Sequence, residues 1–341
     1  MEEDLRKKSE LILGGAVSLP EGFVLPVRVS RSTAGPGAGS EAIVFRFGRM
    51  RVKKAVTYGL ADFELRDVDG RLSIWRDGSL FLDDVTIEPV GFHAPQQAFF
   101  NLDPRCMFHC VYCNSPDLGK DSFKGLTPES IVEMMDSSPQ RDAFTGVAFT
   151  SGVYGSIQAT VDNFCRCVSA VKKAYPELPI GVEPYVDSME QVDMLHEVGA
   201  DEIKINIETA VKELFDKACP DLDYDSTFDM LVHAVGVFGR GKVCSNLIYG
   251  LGESDDDIHN AMERLASMGV MANLRPLRLS SINRDRMTSV FGELEPITPE
   301  RMKRLALMQM EIFSKYGLSP DTMHTMCFAC RCCDLIPFSD L

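Results

Sequence analysis

The sequence predicts an α/β protein: a partial (β/α)6 barrel, with a small β-rich region before it and a cysteine-rich tail after it. Three observations predict this. From about residue 96, apolar runs of strand length alternate with longer helical stretches, and the alternation recurs six times. Such alternation implies a parallel sheet with helical crossovers, and six units fit a sheet curved into most of a barrel rather than a full eightfold one. Residues 1–95 show short, turn-bounded strands instead. Finally, seven of the eleven cysteines gather in two places, 106–113 and 327–333. The expected division is a β-rich accessory region at 1–95, a core barrel at 96–290, and a C-terminal helix with the cysteine-rich tail at 291–341.

In the accessory region, Leu5 to Val17 reads as a short helix and Ala42–Phe47 as a strand. Leu72–Trp75 and Leu80–Leu82 flank Asp77-Gly78, a hairpin signal. The glycine-rich Gly35-Pro-Gly-Ala-Gly39 lacks the Lys-Ser/Thr ending and following helix of a phosphate loop, and reads as a turn or linker. In the core, the expected strands are Ala98–Leu102, Gly146–Thr150, Ile180–Tyr185, Glu202–Ile207, Val243–Tyr249 and Met271–Leu277. The expected helices are Leu126–Met135, Ile157–Ala174, Ser188–Val198, Val211–Ala218, Phe228–Phe238, Asp256–Met268 and Thr298–Tyr316. Thr127-Pro128-Glu129 supplies a cap with proline in the first turn. Chemistry in such sheets sits at the C-terminal ends of the strands.

Composition narrows the function. The net charge of −15 and the acidic pI of about 4.9 disfavour nucleic acid, whose phosphates need clustered Lys and Arg. No run of about 18 apolar residues is present, so no membrane span is expected. The charged N-terminus has no apolar signal core behind it. A cytoplasmic, reducing location is therefore expected, where many cysteines read as metal ligands or catalytic groups rather than disulfides.

After the first barrel strand comes Cys106-Met-Phe-His-Cys110-Val-Tyr-Cys113, a C-x3-C-x2-C spacing. Three thiolates on one loop suit an iron–sulfur cluster. With three ligands rather than four, one iron keeps an open position, the mark of a reactive metal. A zinc site using His109, or a simple electron carrier, also accounts for three thiols. Structural zinc sites, however, usually pair two knuckles.

This spacing, with the aromatic Tyr112 just before the third cysteine, resembles the radical S-adenosylmethionine (SAM) superfamily. The resemblance spans roughly residues 96–290 and looks most like the biotin-synthase-like branch, which includes lipoyl and biotin synthases, methylornithine synthase and hydrogenase-cofactor maturases. It implies a TIM-like partial barrel and a [4Fe–4S] cluster on Cys106, Cys110 and Cys113. It also implies SAM chelated at the open iron and cleaved reductively to a 5′-deoxyadenosyl radical that abstracts hydrogen. The cofactor pair carries that chemistry and the protein orients it. By the same resemblance, Thr150, Ser151 and Gly152 form the turn that meets the SAM amino group, although the usual Gly-Gly-Glu wording is absent. Glu183 and Glu208 end the third and fourth strands as acceptors for ribose hydroxyls, or as ordinary capping or salt-bridged carboxylates. Gly250 and Gly252, in Gly-Leu-Gly-Glu, allow close approach to adenine. Arg275 is a candidate clamp for a carboxylate or phosphate at the barrel mouth. Arg284 and Arg286 read equally as surface ion pairs.

The tail, Cys327-Phe-Ala-Cys330-Arg-Cys332-Cys333, places four thiols in seven residues. A second [4Fe–4S] cluster is the main expectation, with a zinc knuckle or redox thiols as alternatives. Its spacing departs from the usual auxiliary sites of lipoyl and biotin synthases. Cys165, Cys167, Cys219 and Cys244 read as buried small hydrophobes. The expected activity is radical SAM chemistry in cofactor biosynthesis or sulfur insertion, of transferase type. SAM, a small-molecule or lipoyl-type substrate and a low-potential electron donor are the expected partners. The alternative is an iron–sulfur carrier or scaffold that leaves SAM intact.

Overall fold

The computed structural model describes residues 2–31, 41–117 and 125–341. The glycine-rich segment Gly35–Gly39 lies outside them. The chain opens with α1 (Glu2–Leu13), shorter at its C-terminal end than the sequence suggests, because Gly14-Gly15 follows. Seven strands come next: β1 (Val17–Ser18), β2 (Ser30–Arg31), β3 (Glu41–Phe47), β4 (Met50–Thr57), β5 (Phe63–Val68), β6 (Arg71–Arg76) and β7 (Ser79–Glu88). They form one sheet in the order β2-β3-β4-β1-β5-β6-β7, and β7 returns to pair with β3, which closes six of them into a ring. The two Asp-Gly turns make this possible. Asp69-Gly70 has φ of 54° and 82°, and Asp77-Gly78 has 49° and 74°. Both residues of each pair take the left-handed region that a two-residue hairpin of this kind demands. Lys54, buried on β4, donates to Leu11 O and to Gly14 O (2.7 Å), so its amine caps the C-terminal end of α1.

The barrel strands are β8 (Gln97–Asn101), β9 (Gly146–Thr150), β10 (Ile180–Glu183), β11 (Glu202–Lys204), β12 (Val243–Tyr249) and β13 (Met271–Pro276). All neighbours pair in parallel, in the order β13-β12-β11-β10-β9-β8. The crossovers are α2 (Pro128–Asp136), α3 (Ile157–Ala174), α4 (Met189–Glu197), α5 (Lys212–Ala218) with α6 (Tyr224–Phe238), and α7 (Asp255–Met268). After β13 follow α8 (Arg284–Phe291), α9 (Pro299–Tyr316) and the short α10 (Met326–Cys330). Residues from all six strands line one central cavity, which requires a curved sheet. Among the described residues β8 and β13 are not paired with each other, so the barrel stays open along that seam.

The capping signals act where the sequence places them. Thr127 and Ser130 form a capping box at α2 with Pro128 in the first turn. Ser254 and Asp257 do the same at α7. Some boundaries shift. β11 stops at Lys204, three residues early; beyond it Ile205 N still donates to Cys244 O (3.0 Å), and Glu208 forms an isolated bridge with Leu247 on β12.

The tail runs along the barrel from the N-terminal ends of its strands to the open seam. His324 and Thr325 donate backbone N–H groups to Glu202 at the start of β11 (2.7 and 3.0 Å). Gly146 and Gly181, at the starts of β9 and β10, abut the same residues, and a Cβ on Gly181 would sit 2.0 Å from Thr325 Oγ1. The chain therefore crosses beneath the N-terminal ends of the strands. It then bridges the open seam. Gln97 on β8 donates to Met326 O (3.1 Å), and Arg275 on β13 lies beside Cys333 on the cavity wall. The accessory sheet covers it from outside: Lys53 N donates to Cys332 O (3.0 Å), and Val44, Val90 and Ala94 pack on Cys330 and Cys332.

Candidate cluster and cofactor site

The cysteine loop leaves the C-terminal end of β8 and is fastened to the end of β9. Gly152 N donates to Asp103 O (2.7 Å), and Met107 N donates to Val153 O (2.7 Å). The approach is so close that a Cβ on Gly152 would lie 2.2 Å from Arg105 O. Only glycine fits there. Arg105 folds back onto Asp103, with Nε 2.8 Å from Oδ1, and stacks on Tyr154 at 3.8 Å.

Cys106, Cys110 and Cys113 are free, half-buried thiols facing one cavity. Ser115 N points at Cys113 Sγ (3.4 Å). Burial pushes the Cys113 thiol up to about 11, and metal coordination is what makes such a buried thiolate affordable. Among the described residues no three Cys, His, Asp or Glu side chains gather around a single ion position, so the fit rests on donor chemistry. Three soft thiols, unpaired by disulfides and on one loop against a glycine-enforced approach, fit an iron–sulfur cluster with one iron left open. His109 is not among them. It is exposed and holds Asp221, with Nδ1 3.0 Å from Oδ2.

The cavity has a volume of about 890 Å³. Thr150, Ser151 and Gly152 line it beside the cysteine loop. Tyr112 is buried and lines the cavity with Glu208. Glu208 sits at φ 57°, and burial pushes its carboxyl up to about 7 against the opposing influence of the Tyr112 hydroxyl. Glu183 is the hub of a polar network. Its Oε1 accepts from Asn206 Nδ2 (3.0 Å) and Asn246 Nδ2 (3.2 Å), and Asn273 Nδ2 donates to Asn246 Oδ1 (2.6 Å). Lys204, 2% exposed, joins this network to the tail: Nζ lies 3.3 Å from Glu183 Oε2 and 3.3 Å from Cys327 Sγ. Burial alone would pull Lys204 down, but Cys327 and Glu183 hold it above the usual lysine range.

All four tail thiols, Cys327, Cys330, Cys332 and Cys333, face the same cavity. The other wall here is basic. Lys53 holds Ser30 Oγ (2.9 Å) and His93 O (2.8 Å). Arg278 also lines it, and burial pulls its guanidinium down despite Cys333 nearby. Asp334 is buried beside Arg275, and burial pushes its carboxyl up to about 7.

Arg275 lines the cavity half-buried, beside Cys333, Cys327 and Asp334. Two expectations change. Gly250 and Gly252 do not line the cavity. Their loop is tied by Glu253, which accepts from Gly250 N (2.7 Å) and Leu251 N (2.8 Å) and pairs with Arg301 (2.9 Å). Cys165 is half-buried, whereas Cys167, Cys219 and Cys244 are core residues as expected. Lys53, Asn246, Asn273 and Asp334 were not singled out from sequence. The signal for the asparagines was present: Asn246 and Asn273 are register partners, polar residues set in otherwise apolar strands.

Residues 100–265 match the radical SAM superfamily model. The biotin synthase of Aliarcobacter butzleri strain RM4018 is 24% identical over 172 residues, which cover 49% of this chain and 59% of that protein. The lipoyl synthase of Leptospira interrogans serovar Lai strain 56601 is 28% identical over 169 residues, 48% of this chain and 54% of that one. The chain thus spans just over half the length of these curated relatives. Among solved structures, the FeFe-hydrogenase maturase HydG from Carboxydothermus hydrogenoformans superposes with a TM-score of 0.53 at 16% identity, over 65% of this chain and 52% of that one, a likeness of fold. A radical SAM domain implies a [4Fe–4S] cluster and SAM, and the free thiols of the 106–113 loop suit that cluster. With its six parallel β/α units and these matches, the chain carries a radical SAM domain over residues 100–265, most similar in sequence to that of biotin and lipoyl synthases.

Proposed function

We propose that the chain binds SAM at a [4Fe–4S] cluster held by Cys106, Cys110 and Cys113, and that a second cluster is held by the tail cysteines. The observation that carries this reading is the single cavity faced by both groups of thiols. When bound, the cluster and SAM supply reductive cleavage to 5′-deoxyadenosine chemistry and hydrogen abstraction. The chain's own residues do the rest. The 150–152 turn and Glu208 flank the SAM end of the cavity. Glu183 and its asparagines orient polar groups along the axis, and Lys204 carries that network to Cys327. The accessory sheet and the tail close the seam and keep water from the second site.

A substrate lying between the two groups of thiols fits cofactor biosynthesis or sulfur insertion on a small-molecule or lipoyl-type substrate, in line with the synthase relatives. A low-potential electron donor is the partner this chemistry needs. In this reading residues 1–95 are the accessory unit, 96–290 the radical SAM core and 291–341 the auxiliary-cluster tail. The test is anaerobic reconstitution of two variants. Cys113→Ala is expected to lose 5′-deoxyadenosine formation yet keep the iron of the tail. Cys327→Ser/Cys330→Ser is expected to lose about four irons per chain. Cleavage that survives Cys113→Ala, or iron that is unchanged in the double variant, contradicts the respective assignment.

A further inference from the structure

The open seam leaves the cysteine loop without a sheet neighbour on one side, since it follows β8, an edge strand. The segment that meets it there is the start of α8. Asn283, fully buried, donates its Nδ2 to Tyr112 O (2.8 Å) and to Arg278 O (3.1 Å) while its Oδ1 accepts from Ser280 N (2.7 Å). Arg286 donates Nε to Val111 O (2.8 Å) and Nη2 to Cys113 O (2.6 Å), and its Nη1 pairs with Asp117 (2.5 Å). Three consecutive backbone carbonyls, those of Val111, Tyr112 and Cys113, are thus each held by a side chain from α8 or the residue that starts it. Ser280 adds a fourth tie, since Asn114 Nδ2 donates to its Oγ (3.2 Å).

A planar guanidinium and a buried amide fix orientation in a way a single ammonium cannot. Held outward, these carbonyls leave the side chains of Cys110 and Cys113 and the N–H of Ser115 facing the cavity. Partners of this kind, one bond removed from a metal ligand, set the ligand's direction. We propose that Asn283 and Arg286 are positioning residues for the cluster loop: a side-chain clamp that takes the place of the missing β8–β13 ladder and sets the geometry at which SAM is bound.

The inference rests on Cys106, Cys110 and Cys113 holding the cluster, so Cys113→Ala serves as its marker. The experiment compares the full-length, reconstituted wild type with Arg286→Met, Arg286→Lys and Arg284→Met. It reads SAM dissociation constants, the change in the reduced cluster's EPR spectrum on adding SAM, and thermal midpoints. Arg284 shares α8 and makes no side-chain hydrogen bond among the described residues, so it controls for the helix itself. Arg286→Met is expected to fold, to bind SAM about tenfold or more weakly, and to lose the wild-type EPR change. Arg286→Lys is expected to recover part of both, and Arg284→Met to match wild type. A folded Arg286→Met with wild-type affinity and spectrum overturns the proposal. So does an equal loss in Arg284→Met, or failure of both Arg286 variants to fold, since either places Arg286 in general stability. Wild-type SAM binding by Cys113→Ala overturns the cluster assignment instead.

Discussion

Gly152 shows how one missing side chain shapes the site. Its backbone lies against Arg105 and Cys106 so closely that a methyl group at its Cα would stand 2.2 Å from Arg105 O. Relief requires the cysteine loop itself to move. Gly152→Ala is therefore expected to lose the iron of the first site while the tail keeps its own, checked by iron and sulfide counts after reconstitution. Retention of all iron would contradict the close approach. At this scale the sequence was partly legible. The spacing of Cys106, Cys110 and Cys113 is a local signal: three thiols within eight residues share one loop, and they face one cavity. The roles of Arg275 and Arg286 were not legible, because their partners lie far away in sequence: Cys333 for Arg275, and Val111 and Cys113 for Arg286. Nothing local distinguishes a guanidinium that holds Cys113 O from one that faces water.

At the scale of elements, α1 ties down the tail. Lys8 on α1, fully buried, donates to Asp340 Oδ2 (2.7 Å) and to Arg331 O (2.9 Å), and Asp340 is itself buried. The first helix and the last residues thus close on each other around the second group of thiols. Removing one partner of a buried ion pair leaves the other charge uncompensated. Lys8→Met is expected to cost about 3–5 kcal/mol in denaturant unfolding, and Lys8→Met/Asp340→Leu to recover most of it. An unchanged midpoint for Lys8→Met would place the pair outside the stability of the fold. The barrel helices and strands were legible from periodicity and caps, since their signals are local. The accessory strands were only half legible: β4 and β5 carry Lys53, Lys54, Glu64 and Arg66 within their runs, so alternation does not read as apolar against polar. The buried lysines among them are stabilised by distant carbonyls and hydroxyls that the sequence does not reveal.

Across the whole molecule, the arrangement has one axis. The cysteine loop stands at the C-terminal ends of the strands, as the alternating pattern implies. The tail comes from beneath, crosses Glu202 and Gly181, and bridges the seam between β8 and β13. Lys204 links Cys327 to Glu183, and the asparagines continue inward from there. Two groups of thiols that are separate in sequence therefore share one chamber, with the accessory sheet as its outer wall. The existence of both groups was legible; their shared chamber was not, because it depends on where the tail returns. The central claim is that this chamber holds two clusters, one of which cleaves SAM. It is tested most directly by reconstituting the wild-type chain without oxygen, counting iron, and measuring 5′-deoxyadenosine formed from SAM under dithionite. About eight irons per chain together with deoxyadenosine is the expected result; clusters that leave SAM intact under these conditions and with electron donor supplied would contradict it and favour an iron–sulfur carrier.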